Sequence, residues 1–469
     1  MLWRYGMDWK EEKKMTQYGR KSMKRLSGLL ALLLVLALLL CGCKGNGPVY
    51  DEPTGIQTTG AGDVTTAGST PTHTSTTPGE LPALTGAVVR EDGNGCTVRV
   101  CSNATETQYE TYGSALQGNG FVQHTENRIG FNRFSTWYSD DIVVNLIFSS
   151  YNSTFRVITE PKTSGALPAT ETQTASVCTP LAISVGLAPD TETTHKNGLC
   201  YIFRLTDGSF VIYDGGWDHT VNRMSEKIMA VLQKEAPDPQ NIVISLWVIT
   251  HAHTDHVGGF NQFIREHRND VTIRSILLNT PSDTFCTQTS MTDKVAYFKS
   301  TLNMCRGADR IIAHPGQKLQ LPDATLEVLY TMDLYDAQTL DEYNTTSVVT
   351  RLTIGGQSFL MTGDMTETSN QVLQDMYGSR LQSNFVQVAH HGYVGGTAAF
   401  YNRVNADYVL WPASLVGYNE MKNKARNQNF KNLSDKRLIV AQDYITRIPL
   451  PYGGGGVTRQ TLAEYCEAT

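Results

Sequence analysis

The segment His251-Ala252-His253-Thr254-Asp255-His256 brings three histidines and one aspartate together within six residues. It directly follows the apolar run from Ile242 to Ile249, and a run of this length is typical of a buried strand. The polar side chains therefore project from the loop after a strand, whereas the histidines of an HExxH metalloprotease lie one helical turn apart. Because imidazole nitrogens and carboxylate oxygens suit zinc, with manganese or iron as alternatives, the segment predicts a metal site at a strand end.

The elements before this segment follow a definite order. A hairpin from Tyr201 to Tyr213 turns at Asp207-Gly208 and ends in Asp214. Apolar residues between Met224 and Leu232 then recur at helical spacing, and the strand that leads to His251 follows. The order is therefore hairpin, aspartate, helix, strand and histidine.

The same order occurs a second time further along the chain. A hairpin from Ser347 to Met361 precedes Asp364, a helix is predicted around Val372 to Met376, and a strand from Phe385 to Val388 ends before His390-His391. Two similar halves of sheet and helix that face each other predict an α/β fold, specifically an αββα sandwich. In such a fold both sets of polar strand ends meet at one edge.

These motifs resemble the metallo-β-lactamase-fold hydrolase superfamily over about residues 177–469. Within the superfamily, three segments are most similar to the hydrolase domain of ComEC-type DNA-uptake proteins. These segments are Asn344-Thr345-Thr346-Ser347-Val348-Val349, Met361-Thr362-Gly363-Asp364 and Ala389-His390-His391-Gly392. Choline-binding phosphorylcholine esterases are similar at the same places.

The resemblance implies two metal ions and assigns their ligands position by position. The ions are expected to be zinc, with manganese or iron as substitutes. The implied ligands are His251 and His253 for the first ion, Asp255 and His256 for the second, Asp364 between the two, and one of His390 and His391, with His391 preferred, to complete the second site.

One feature of the superfamily is missing from this sequence. Many members have a further histidine between the HxHxDH loop and the Gly-Asp element, but here that stretch holds only His267 and His314. His314 precedes a proline and is expected to lie in a loop. Asn344 or Ser347 occupies the region where the missing ligand would be expected. The first ion is therefore predicted to be held less completely, and operation with a single ion stays open.

The resemblance also implies the chemistry of the site. Two ions would activate a water molecule for attack on a phosphoryl or carbonyl group. Asp255 would relay protons, and Asp214 would orient the HxHxDH loop through hydrogen bonds or, alternatively, cap a helix that begins near His219. The expected substrate is a phosphodiester in nucleic acid or in the cell envelope. The alternatives are a lactonase or β-lactamase-like hydrolase, and a non-catalytic metal-binding surface protein; no protein partner is inferred.

The first 43 residues predict export rather than a folded domain. A basic stretch precedes the apolar run from Leu29 to Leu40, which is shorter than a membrane-spanning helix requires. The run ends in Leu40-Cys41-Gly42-Cys43, which resembles a bacterial lipobox, so Cys43 is the predicted lipid anchor to the outer face of the cell membrane. An uncleaved signal anchor is the alternative. Residues 44–85, rich in Thr, Gly, Ser and Pro, are predicted to be a disordered linker.

The charge distribution argues against a surface that coats nucleic acid. The formal net charge is −6, and residues 1–43 hold eight Lys and Arg against three Asp and Glu, so the rest of the chain is more acidic than the whole. A local basic groove stays open, although such runs are also typical of solvated helix faces. The candidate cations are Lys422, Lys424, Arg426, Lys431, Lys436 and Arg437.

A small α+β module is predicted over residues 86–161, ahead of the hydrolase domain at 177–469. Strand patterns at Cys96 to Val100, Ile142 to Phe148 and Thr154 to Ile158 surround a helix from Ala104 to Gln117. The module shows no cluster of His, Asp or Glu, so we assign it a binding or packing role. Two of the scattered cysteines, Cys178 and Cys200, either meet across neighbouring strands or are small buried residues.

Overall fold

A computed structural model describes residues 79–467, apart from positions 92, 163–165, 171–174, 188–196, 218–221, 336–341, 425–426, 428–437 and 442. The predicted signal segment, the anchor Cys43 and most of the predicted linker lie outside the described residues. Within the part that the structure describes, no helix is both long enough and apolar enough to cross a membrane.

Two mixed sheets form the centre of the region after residue 176. The first contains β7 (Leu181–Val185), β8 (Cys200–Arg204), β9 (Phe210–Asp214), β10 (Ile242–Val248), β11 (Val271–Ile273), β12 (Ser275–Leu278), β13 (Asp309–Ile312), β21 (Ile445–Pro449) and β22 (Thr458–Gln460). The second contains β14 (Lys318–Leu321), β15 (Ala324–Tyr330), β16 (Val349–Ile354), β17 (Gln357–Met361), β18 (Phe385–Gln387), β19 (Tyr408–Trp411) and β20 (Leu438–Val440).

The two sheets pack face to face over a shared apolar layer. Phe203 on β8 meets Phe359 on β17 with ring centroids 5.0 Å apart, and both side chains are fully buried. Helices cover the outer faces; on the first sheet, Trp247 packs edge-on against Phe260, which lies on a helix. These layers confirm the predicted αββα sandwich. The helices after residue 176 are α2 (Met224–Glu235), α3 (Thr254–His267), α4 (Asp283–Gln288), α5 (Thr292–Leu302), α6 (Glu367–Tyr377), α7 (Ala398–Val404), α8 (Leu415–Met421) and α9 (Leu462–Glu467).

Both predicted copies of the hairpin, helix and strand order are present. The strands of each hairpin pair antiparallel, and the strand after each helix pairs parallel to the second hairpin strand. Parallel pairing brings the carboxyl ends of β9 and β10 to one edge of the first sheet. It likewise brings the carboxyl ends of β17 and β18 to one edge of the second sheet. The polar residues that follow those strands are therefore collected together.

Helix α3 approaches the end of β9 unusually closely. The N–H of Gly259 donates to the carbonyl of Gly216 at 2.7 Å, and a Cβ built on Gly259 would lie 2.0 Å from the oxygen of Gly215. Only glycine allows this approach. The contact seats the helix that begins inside the HxHxDH segment against the strand that ends in Asp214.

The predicted module at residues 86–161 is a helix on an antiparallel sheet. The helix α1 (Glu106–Gly118) begins two residues later than predicted and packs its Tyr112 ring against Phe155. The strands are β1 (Val88–Glu91), β2 (Thr97–Cys101), β3 (Val122–Ile129), β4 (Asn132–Tyr138), β5 (Ile142–Ser149) and β6 (Thr154–Pro161), in the order β1-β2-β6-β5-β4-β3.

The module shares a buried apolar cluster with the sandwich. Phe134 and Ile158 pack in one core with Leu329 and Met376, and the side-chain amide of Asn132 donates to the carbonyl of Met376 at 2.6 Å. The module therefore packs against the sandwich, and whether it also binds a ligand stays a prediction.

Cys178 and Cys200 are both free thiols, and Cys178 donates to the carbonyl of Leu205 at 3.2 Å. The two cysteines therefore do not pair; Cys200 is a small buried residue as the second alternative states, whereas Cys178 is only partly buried.

Candidate metal centre

The polar strand ends of both sheets meet at one edge of the sandwich. Asp214 is the last residue of β9, and the HxHxDH segment begins three residues after β10. The backbone N–H of Val348 donates to the carbonyl of Thr250 at 2.9 Å, which fastens the edge of the first sheet to the second. The N–H of His390 donates to the carbonyl of Gly363, next to Asp364, at 3.1 Å.

Two groups of ligand-type atoms share Asp364. One consists of Asp255, His256, Asp364 and His391, and the other of His251, His253 and Asp364. In each group, one nitrogen or carboxylate oxygen per residue lies within 4.8 Å of all the others. Asp364 is therefore the one carboxylate of these two groups that reaches both.

The distances within the groups suit ligands of common ions. His256 Nε2 lies 3.3 Å from His391 Nε2, and His251 Nε2 lies 3.0 Å from His253 Nδ1. Two ligands of one tetrahedral ion with bonds of about 2 Å are separated by roughly 3.3 Å. Asp364 Oδ1 is buried without a hydrogen-bond partner, 3.2 Å from His256 Nε2. A divalent metal ion would satisfy these lone pairs, so the residues fit the ions that the sequence implies.

The remaining ring nitrogens of His251, His256 and His391 contact hydrogen-bonding groups. His256 Nδ1 donates to Asp214 Oδ2 at 2.7 Å, and His391 Nδ1 donates to the carbonyl of Pro412 at 2.7 Å. His251 Nδ1 lies 3.2 Å from the hydroxyl of Thr250. Each of these contacts leaves the other ring nitrogen turned towards the centre, which is the usual arrangement around a metal-binding histidine.

Asp214 also fixes the loop itself. Its carboxylate accepts from the backbone N–H of Thr250 at 2.8 Å and from the Thr250 hydroxyl at 2.6 Å. The N-cap of α2 is Arg223. Asp214 therefore makes the hydrogen bonds expected of a residue that orients the HxHxDH loop, and it does not occupy the N-cap position of α2.

Three of the polar residues adopt left-handed backbone conformations. The φ angles of Asp214, His390 and His391 are +52°, +47° and +52°. Such conformations are costly for residues with a Cβ, and they persist where the surroundings hold them for function. Their concentration at this edge sets it apart from an ordinary polar surface turn.

The electrostatics of the centre favour a cation. Burial lowers the pKa of His251 and His253, so both rings are neutral and offer lone pairs. Burial opposes charge on His391 as well, but Asp364 and the contact with Asp255 raise its pKa to about 9. Without an ion, the carboxylates thus draw protons onto neighbouring imidazoles. A metal ion would take the place of those protons.

His390 and His391 have different surroundings. His391 is buried and its Nε2 lies 3.2 Å from Asp255 Oδ2, whereas the side chain of His390 is 21% exposed. His390 Nε2 lies 3.7 Å from Asp364 Oδ2 and 3.4 Å from the amide nitrogen of Asn344. The geometry supports the preference for His391 in the second group and places His390 beside the first.

The two polar residues proposed in place of the missing histidine lie close to the centre. The Ser347 hydroxyl accepts from the backbone N–H of Asp364 at 3.2 Å, and Asn344 Oδ1 is buried without a hydrogen-bond partner. His314 does not belong to either group. It lies, as expected, outside the strands, but it is fully buried between β13 and β14.

Sequence reasoning missed Tyr343. Its buried ring packs against His253 with centroids 5.1 Å apart and against His251 at 6.2 Å, and the Phe285 ring is stacked parallel to it at 6.2 Å. In the sequence, the only indication that Tyr343 lies near the centre was its position directly before Asn344.

The predicted basic cluster lies only partly among the described residues. Lys422 and Lys424 are described, and Lys422 lies over the Tyr418 ring; the other four cations fall outside the described part.

Residues 193–402 match the family model of the metallo-beta-lactamase superfamily, and this stretch contains every candidate ligand. The matched residues make up less than half of the chain, and over this stretch the chain is similar to the superfamily. The superfamily consists mainly of metal-dependent hydrolases, and the two ligand groups of this chain are compatible with a divalent metal.

Several solved structures are similar to the chain at low identity. The metallo-beta-lactamase fold protein YhfI from Bacillus subtilis is 14% identical with a TM-score of 0.35, and the match covers 60% of this chain and 100% of YhfI. The diiron beta-hydroxylase CmlA from Streptomyces venezuelae is 18% identical with a TM-score of 0.30, covering 50% of this chain and 38% of CmlA. A diphosphatase from the PhnP family is 10% identical with a TM-score of 0.34, and the match covers 58% of this chain and 98% of the diphosphatase. A comparison with curated proteins finds no match.

Proposed function

We propose that this chain is an exported, lipid-anchored phosphodiesterase that uses two metal ions, most simply zinc. The observation that carries the proposal is the pair of His and Asp groups that share Asp364, whose Oδ1 is buried without a hydrogen-bond partner. When bound, such ions activate water and neutralise charge that develops on a phosphoryl oxygen. His251, His253 and Asp364 would hold one ion, and Asp255, His256, Asp364 and His391 the other.

Asp255 is the candidate for proton transfer. Its side chain is 20% exposed, whereas that of Asp364 is 2% exposed, so Asp255 is the carboxylate of the centre that reaches solvent. Burial favours its neutral form, but His256 and the contact with His391 hold its pKa below the ordinary value. An ionised Asp255 can accept a proton from the attacking water and deliver it to the leaving oxygen.

A lysine lies in a pocket next to the HxHxDH segment. A pocket of about 210 Å³ adjoins the HxHxDH segment and is lined by Ala252, Thr254, Val257, Asn261, Asp293, Lys294 and Tyr297. Lys294 on α5 is exposed, and its charge acts on His253. Lys294 offers a positive charge to an anionic substrate, and Asp293 in the same lining carries a negative one.

The substrate class is tested with the full chain and a panel of compounds. We expect hydrolysis of bis(p-nitrophenyl)phosphate, its loss on treatment with a chelator, and its recovery when zinc or manganese is added back. Single-stranded DNA and choline phosphodiesters in the same panel distinguish nucleic acid from cell-envelope substrates. A steep fall of DNA hydrolysis with rising salt would support nucleic acid.

Two results of the panel would count against the proposal. Turnover of a lactone or of nitrocefin without any turnover of phosphodiesters would replace the substrate class. Full activity in the chelator-treated, metal-free chain would remove the metal-dependent mechanism altogether.

The anchor is tested separately in cells. We expect a radiolabelled fatty acid to be incorporated into the chain and the label to be lost in Cys43→Ser, because the lipobox cysteine is the acylated residue. Label that persists in Cys43→Ser would contradict the assignment, and Cys41→Ser is the matched control that should stay labelled.

A further inference from the structure

A second set of metal-type ligands lies away from the strand-end centre. Cys96, Glu160 and His314 each offer one atom, and the sulfur, oxygen and nitrogen lie within 4.8 Å of one another. The three residues are 1%, 3% and 0% exposed. They form a closed polar cluster inside the apolar core that the module shares with the sandwich.

The strands of the module place two of the ligands side by side. Thr97 on β2 pairs with Thr159 on β6 in antiparallel register, so Cys96 and Glu160 occupy the next paired position. His314 comes from the connection between β13 and β14 in the metallo-beta-lactamase domain. The cluster therefore joins two parts of the chain that are far apart in sequence.

Two buried polar atoms in this cluster have no hydrogen-bond partner. They are Glu160 Oε2 and His314 Nε2, and they lie 4.0 Å apart, too far for a hydrogen bond between them. Buried polar atoms without partners destabilise a fold, and each such atom calls for an explanation. A bound cation between them would provide it.

The orientation of His314 matches that of a metal ligand. Its Nδ1 donates to Asp333 Oδ2 at 2.7 Å, and that oxygen also accepts from the hydroxyl of Thr331 at 2.6 Å. The Nε2 atom is thereby turned towards Cys96 and Glu160. A carboxylate that holds the far nitrogen of a histidine is the usual second contact of a zinc-bound imidazole.

We propose that Cys96, Glu160 and His314 bind a divalent transition-metal ion, most simply zinc, which fastens the module to the metallo-beta-lactamase domain. Thiolate, carboxylate and imidazole are all zinc ligands, and the thiolate favours zinc over manganese. The ion would displace the thiol proton of Cys96 and pair with the carboxylate of Glu160.

Cys96 and His314 do not form a hydrolytic triad with the neighbouring Asp333. Cys96, His314 and Asp333 are arranged in the order of a nucleophile, a base and an orienting carboxylate, but none of the three is more than 1% exposed. Burial raises the pKa of the Cys96 thiol to about 11, against the activation that a nucleophilic cysteine needs. A substrate has no access, whereas a small ion can be enclosed as the chain folds.

Cobalt substitution tests the proposal without any substrate. The strand-end centre offers only nitrogen and oxygen ligands, so a thiolate-to-cobalt charge-transfer band in the near ultraviolet cannot come from it, and loss of the band in Cys96→Ser assigns it to the Cys96 cluster. We expect the full chain loaded with Co²⁺ to show this band. In Cys96→Ser we expect the band to disappear and the metal content to fall by one ion per chain, while the nitrogen and oxygen spectrum of the strand-end centre persists.

The matched control is Cys101→Ser at the other end of β2. Cys101 is also buried, at 4% exposure, and its thiol contacts the carbonyl of Thr85 rather than any ligand-type group. This variant should keep both the band and the full metal content. Should Cys96→Ser fail to fold, the spectrum of the unaltered chain still decides.

The result that overturns the proposal is a cobalt-loaded, unaltered chain without a thiolate band, or a band that survives in Cys96→Ser. In either case His314 would be an imidazolium held between Glu160 and Asp333. Because no step of the measurement involves catalysis, failure of the phosphodiesterase proposal would leave this result unchanged.

Discussion

Replacement of Asp364 by asparagine is expected to lower the hydrolysis of bis(p-nitrophenyl)phosphate by about 10³-fold or more. The carboxylate belongs to both ligand groups, and its Oδ1 lies 3.2 Å from His256 Nε2 and 3.4 Å from His391 Nε2. Loss of a charge that would hold both proposed ions would remove several kcal/mol of transition-state stabilisation. Each 1.4 kcal/mol of that loss is about tenfold in rate. Steady-state kinetics together with metal analysis of the purified variant measure both effects.

The metal content distinguishes a shared carboxylate from one that serves a single ion. If Asp364 bridges, the Asp364→Asn variant loses affinity for both ions of the strand-end centre; if it serves one, the variant loses one ion per chain and keeps the other. Asp375→Asn is the control, because Asp375 is exposed on α6 and contacts only Gln371 among the described hydrogen bonds. Wild-type activity or unchanged metal content in Asp364→Asn would contradict the assignment.

The convergence on Asp364 was predictable because two physical rules apply to the sequence at once. Alternating hairpins and helices of fixed order predict parallel strand pairs, and parallel strands present their carboxyl ends at one edge. Strand ends carry the polar residues in both copies: Asp214 and the HxHxDH segment in the first, and Asp364 in the second. The order of elements in the sequence alone therefore indicates that these residues meet. The structure adds which oxygens and nitrogens face each other.

Side-chain direction could not be predicted in the same way. His390 and His391 are adjacent, and both have positive φ, so no strand or helix period determines which ring turns inwards. The difference arises from the hydrogen bond of His391 Nδ1 to Pro412, a residue that follows β19. Such a contact depends on packing between distant segments.

The Cys96 cluster also depends on packing between segments that are distant in sequence, so the sequence alone does not predict it. Cys96 and Glu160 are brought together by strand register, and His314 is added by the packing of the module on the sandwich. The module by itself holds only two of the three ligands, since His314 lies in the connection between β13 and β14. No spacing within the sequence marks a site whose ligands come from three separate segments.

Replacement of Asp214 by asparagine is expected to weaken metal binding at the strand-end centre by about 10- to 100-fold, the usual cost of losing a carboxylate behind a metal-bound histidine. Asp214 accepts three hydrogen bonds, two from Thr250 and one from His256 Nδ1. Asparagine has a single acceptor oxygen, so it cannot keep both the bond from the Thr250 backbone N–H at Oδ1 and the bond from His256 Nδ1 at Oδ2. Either the loop or the His256 ring therefore loses its fixed orientation. Titration with zinc against a competing chelator measures the change in affinity.

An excess of metal separates this orienting role from a direct one. Activity of Asp214→Asn should return towards the unaltered level when zinc is raised, because the ligands themselves are intact, whereas Asp364→Asn should stay inactive. The control is Thr250→Ser, which keeps a hydroxyl for Asp214 Oδ2 and should retain metal affinity. Failure of excess metal to restore Asp214→Asn, in a variant with an unchanged circular-dichroism spectrum, would show that Asp214 takes part in the reaction itself. Unchanged metal affinity in Asp214→Asn would show that Thr250 and the closely packed Gly259 contact are sufficient to position the loop.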